Sequence, residues 1–232
     1  MSNSISQKLL LIAKGRETRK VAYYFPSLPP TYFLGLSNPE MAEIKHQIQK
    51  EDISPFLNDL PHTYYEEMII HILLITKTKD MAMLLYEMDK IVPFLCCWGE
   101  TDKLASEAKI FRKHPKIGYA AIKGYLADKR IYVKRLGIVL LLTYYMDENF
   151  QAEQMEIVSS IVSDDYYLDM AIAWYFSYGL IKQYEATIGY FEKRTLSHSI
   201  HQKSIQKAVD SFRVSPEQKA YLKKLRYKKS PK

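Results

Sequence analysis

Along most of the chain, apolar residues recur every three to four positions, the spacing of one face of a helix. The pattern predicts helices at about 4–14, 38–50, 62–76, 78–94, 100–113, 116–126, 130–146, 150–162, 165–180, 182–192, 198–211 and 215–228. The breaks carry helix punctuation. Asn38-Pro39 places proline in a first turn. Pro61-His62-Thr63 precedes an apolar run, and Ser215-Pro216-Glu217 opens the last helix. Asp128 and Ser163 stand where N-caps are wanted. Only residues 23–36, with Pro26, Pro29 and Pro30, resist a helical reading and suggest a structured crossing.

Three apolar helices share an opening. Tyr65 begins YEEMIIHILLI, Tyr132 begins YVKRLGIVLLL and Tyr167 begins YLDMAIAWYFS. The separations fit two steps and one step of a unit of ~34 residues, each holding one broad apolar helix and one thinner partner. The expected fold is all-α: a curved α-α superhelix of HEAT-like helical repeats. It forms a single domain over 1–232, with a basic tail at about 228–232. One helix of each pair would line a concave face.

Composition agrees with this reading. Hydrophobic residues make up 47% and charged residues 25%, and only 8 glycines occur in 232 residues, too few for a turn-rich β fold. No apolar run approaches the ~20 residues that span a bilayer, so no membrane partner is expected. The stretch Met1–Lys14 lacks the long apolar region of a signal peptide. The two cysteines, Cys96 and Cys97, are adjacent, which makes them poor disulfide partners, and a cytoplasmic setting follows. Net charge is +7, of which residues 215–232 carry +6. A basic segment attracts a polyanion such as nucleic acid, or simply solubilises a helix end.

Three places draw attention. Trp98, one of two tryptophans, stands at a loop-to-helix junction, with Asp102 in the first turn that follows. Trp174 lies within an apolar helix. Arg135, beside Lys134, lies in another. Trp98 and Trp174 also read as core anchors and Asp102 as a dipole-complementing acid. Arg135 has three options: solvent, an internal acid, or a phosphate in a groove. Phosphate-binding loops, catalytic serine or histidine motifs and zinc spacings are not found, so neither a metal, nor a nucleotide, nor another cofactor is expected.

Taken in order, FLGLSNPEM (Phe33 to Met41), WGETD (Trp98 to Asp102), IYVKRLGIVLLL (Ile131 to Leu142) and YYLDMAIAW (Tyr166 to Trp174) resemble the DNA alkylation repair family, the HEAT-like repeat DNA glycosylases of the AlkD group. The likeness runs from about Tyr32 to Arg226. It implies a monomer that cradles double-stranded DNA and excises cationic N3- or N7-alkylpurines without a base-flipping pocket. It also implies roles: Asp102 as catalytic carboxylate, Trp98 and Trp174 flanking the lesion deoxyribose, and Arg135, with Lys134 beside it, on the backbone. Three features depart from that pattern. Gly99 replaces an acid, Ser177 replaces an arginine, and residues 15–35 replace a longer helical start, as in a sister branch of the family. The alternative is therefore a non-catalytic DNA-binding or scaffold protein on the same fold.

Overall fold

In the computed structural model, which describes residues 4–227, regular structure is helical throughout and the described residues contain no strand. The α-helices are α1 (Ser4–Ala13), α2 (Arg19–Ala22), α3 (Asn38–Ile48), α4 (Ser54–Asn58), α5 (Tyr65–Ile75), α6 (Met81–Ile91), α7 (Trp98–Glu107), α8 (Pro115–Ala127), α9 (Ile131–Tyr144), α10 (Ala152–Ser159), α11 (Tyr166–Lys182), α12 (Tyr184–Glu192), α13 (His198–Asp210) and α14 (Pro216–Leu225). None of them is long and apolar enough to cross a membrane. The tail at 228–232 lies outside the described residues.

The protein is thus all-α, as the periodicity predicts. Helices α2 and α4 are additions: four and five residues, too short to show a period, with Phe56 buried on α4. The expected caps at Asp128 and Ser163 are each displaced by two residues. Helix α9 is capped at Arg130 and α11 at Asp165. Asp128 and Ser163 instead accept the backbone N–H of those cap residues, at 2.7 and 3.0 Å. Both side chains shape the turn before the helix, because short polar side chains reach a backbone two positions on as readily as they cap.

The chain divides into two compact units, the first ending at Ile110 and the second beginning at Phe111. In the first unit α5 is central, with α3, α6 and α7 packed on it. Every residue from Glu66 to Ile75 is buried. Glu66 explains how the crossing is held. Its carboxylate accepts the backbone N–H groups of Leu34, Gly35 and Leu36 at 2.8, 2.8 and 3.2 Å. Gly35 has φ +78°, and that left-handed turn aims consecutive amides at one anion. A buried carboxylate needs such donors, since an unpaired one costs several kcal/mol. Glu67 does the same for Thr63 and Tyr64, both at 3.0 Å.

In the second unit α11 packs on α9, α10, α12 and α13, while α8 covers α9 and α14 covers α13. Leu136, Ile138, Leu140 and Leu141 of α9 are fully buried. Each contributes about 1.5–3 kcal/mol, which offsets the cost of burying Arg135 on the same helix. Along the sequence, α5, α7, α9, α11 and α13 begin at 65, 98, 131, 166 and 198. Within each unit these alternate helices lie side by side, α3 with α5 and α7, and α9 with α11 and α13. That is the order a helix-pair repeat requires.

Candidate functional site

Helix α7 starts at Trp98 itself, two residues earlier than the sequence suggests. Asp102 is therefore one turn inside the helix. The first-turn acid is Glu100, so the expected dipole argument for Asp102 moves to Glu100. The apolar Trp98 ring obscures this start, since a tryptophan at the first helical position carries no capping signal.

Trp98 and Asp102 line one open cleft of about 630 Å³, whose walls include Tyr24, Phe25, Tyr65 and Lys103. Trp98 is partly buried. Its indole N–H donates to the Tyr24 carbonyl at 3.1 Å, and Phe25 stacks on its ring with centroids 4.9 Å apart and planes 19° apart. The core-anchor reading of Trp98 thus holds on one ring face while the cleft meets the side chain elsewhere. Asp102 Oδ1 accepts from the Thr101 hydroxyl at 3.2 Å. Burial pushes the Tyr65 hydroxyl well above its ordinary range, and the nearby Cys97, Glu100, Glu66 and Asp102 groups push it further. Tyr65 therefore stays a neutral hydrogen-bond donor.

Gly99 is fixed by contact. A Cβ there would lie 2.8 Å from both the Phe25 ring and the Tyr65 hydroxyl. Gly99 and the stretch around Phe25 meet in one packing event: Phe25 occupies the space beside Trp98 and Gly99.

The second unit holds Trp174, Arg135 and Lys134. Trp174 is partly buried, edge-on to Tyr178 at 6.1 Å. It lines a separate cleft of about 410 Å³ with Tyr178, Lys207, Asp210, Phe212 and Arg213. Arg135 is buried, 6% exposed, which overturns its solvent-facing reading. Its guanidinium donates to the Tyr167 carbonyl at 2.6 Å. It also bears on the neighbouring cation: Lys207 is held below its ordinary pKa by burial first and by Arg135 second. Ser177 is buried and donates to the Trp174 carbonyl at 2.7 Å. Lys134 belongs elsewhere, in a depression shared with Lys123, Ile157 and Ser160.

Within the first unit the structure brings Trp98 together with Asp102; within the second it places Trp174 with Lys207, and Lys134 in a different depression. Tyr65, Lys103, Lys207 and Arg213 are the residues that sequence reasoning passed over. Lys207 and Arg213 lie just upstream of the basic stretch that begins at Ser215, and extending that charge run would have found them. No protein-family model matches the chain, and no curated protein matches it.

Proposed function

We propose that this chain binds duplex DNA as a helical-repeat protein of the alkylation repair kind, with a glycosylase-like site at Trp98 and Asp102 for cationic N3- or N7-alkylpurines. The observation that carries the reading is the shared open cleft of an indole and a carboxylate, walled by aromatic rings and Lys103. An alkylated purine is cationic and leaves with the electrons of the C1′–N bond. The sugar is left with oxocarbenium character, water adds at C1′, and its proton departs. A carboxylate near C1′ stabilises the developing charge and orients the water. Aromatic faces stabilise a cation by their quadrupole. An open cleft suits an enzyme that acts without drawing the base into a snug pocket. In the second unit Trp174, Lys207 and Arg213 add an aromatic and basic surface, with Arg135 reinforcing the positive field, and Lys134 and Lys123 offer a further backbone contact.

The test is base release from duplex DNA containing 7-methylguanine. Release above the spontaneous rate, abolished by Asp102→Asn, is the expected outcome, and release at the spontaneous rate overturns catalysis. One observation favours a second reading, DNA binding without excision: Phe25 stacks on the Trp98 ring and so takes a face that a cationic sugar would use. On that reading the protein binds duplex DNA with salt-dependent affinity and releases no base.

A further inference from the structure

Outside the two clefts, among the described residues, one cluster brings together groups able to hold a metal ion. Cys96, Cys97 and Glu100 present two sulfurs and a carboxylate oxygen within 4.8 Å of one another. Local structure makes this cluster. Cys97 caps α7 in an extended conformation, and Glu100 is the third residue of that helix, so the chain folds Cys96 back over the first turn. The Cys96 N–H donates to Glu100 Oε2 at 2.7 Å. Tyr32, from the crossing, closes the far side. Its hydroxyl donates to Glu100 Oε1 at 2.8 Å and lies 3.4 Å from Cys96 Sγ, which is 3.6 Å from that same oxygen.

We propose that this cluster binds a thiophilic divalent cation of the zinc class, with Cys96 Sγ, Cys97 Sγ and Glu100 Oε1 as ligands, water in the fourth position and Tyr32 as a positioning residue. This site is independent of the DNA reading above.

Four observations support it. The first is spacing. Ligands at zinc distances stand roughly 3.4–3.8 Å apart at the corners of a tetrahedron, and the Cys96–Glu100 separation is 3.6 Å. The second is donor chemistry, since two soft sulfurs and one carboxylate make a set that zinc accepts and magnesium or calcium does not. The third is the way Glu100 is held. It is fully buried, like Glu66. Glu66, however, is held by three backbone amides, whereas Oε1 of Glu100 is held by a thiol and a phenol. A cation can replace the thiol proton while the phenol keeps its bond to the carboxylate. The fourth is support and access. Glu100 Oε2 is oriented by the Cys96 amide, as outer partners orient metal ligands, and Cys96 is partly exposed and offers an entry. Binding would release two thiol protons. Two thiolates, one carboxylate and one dication leave a net charge of −1, placed at the start of α7, where the helix favours negative charge.

The experiment uses the full-length reduced protein, titrated anaerobically with Zn²⁺ against a chromophoric chelator and, in parallel, with Cd²⁺. The expected result is one ion per chain, the partly exposed Cys96 thiol shielded from a thiol reagent, and an ultraviolet thiolate-to-cadmium charge-transfer band. Cys96→Ser and Glu100→Gln should each weaken binding by at least about 100-fold, and Tyr32→Phe by roughly tenfold. Glu100 and Cys97 are buried and their variants can unfold, so the decisive variant is Cys96→Ser at the partly exposed position, its helix content checked by circular dichroism. Failure of the wild-type protein to bind stoichiometrically overturns the site. So does unchanged affinity in folded Cys96→Ser.

Discussion

Gly99 meets the Phe25 ring and the Tyr65 hydroxyl so closely that a single added methyl group must displace something. Gly99→Ala is expected to cost about 1–3 kcal/mol, the usual penalty for overpacking. In a Phe25→Ala background part of that penalty should vanish, with Tyr65 left as the remaining obstacle. Urea unfolding of the two single variants and the double variant measures the coupling, and strict additivity would sink the packing account. A second residue-scale prediction concerns acid. The Ser37 amide first and Arg16 second hold the Glu40 carboxyl down at about 2, against an ordinary 4.5. A depressed carboxyl contributes stability that is complete above pH 4.5 and is lost as pH falls through about 2. Acid titration of stability should show that loss, and Glu40→Gln should flatten it. Glu66 has the opposite sign. Burial, its largest influence, raises its pKa despite the three amides, so its contribution is present at low pH and declines as pH rises through the raised value.

Helix α11 carries Trp174, and its start is fixed by Asp165, whose carboxylate accepts the Tyr167 and Leu168 amides at 2.8 and 2.9 Å. Asp165→Ala is expected to cost about 1 kcal/mol, whereas loss of Ser163, which only braces the preceding turn, should cost less. Equal losses in denaturant titrations would contradict this division of roles. At this scale the sequence was largely readable, because long helices that bury a broad face, such as α5, α9 and α11, leave a periodic trace. It was not readable where a contact joins distant positions. The Phe25–Gly99 collision depends on how the crossing folds. Arg135 donates to a main-chain carbonyl, a contact that no residue identity reveals. The start of α7 was misjudged because Trp98 does the work of a first helical residue without looking like one. For the candidate site, the order of Trp98, Asp102, Arg135 and Trp174 was legible, and their division between a first and a second cleft was not.

For the molecule as a whole, charge sets the test of DNA binding. The formal charge of +7 lies mostly in residues 215–232. Lys207 and Arg213 extend it to the Trp174 cleft. Duplex affinity should fall linearly on a log–log plot against salt. Lys207→Ala and Arg213→Ala should each lower that slope by roughly one, and unchanged slopes would mean that this cleft meets no phosphate. The Phe25 contact reaches beyond the cleft, tying together parts of the chain far apart in sequence. Positions 25, 65 and 99 come from three separate stretches, yet a side chain at 99 would press on both the ring at 25 and the hydroxyl at 65. The effect of a substitution at any one of the three therefore depends on the residues at the other two.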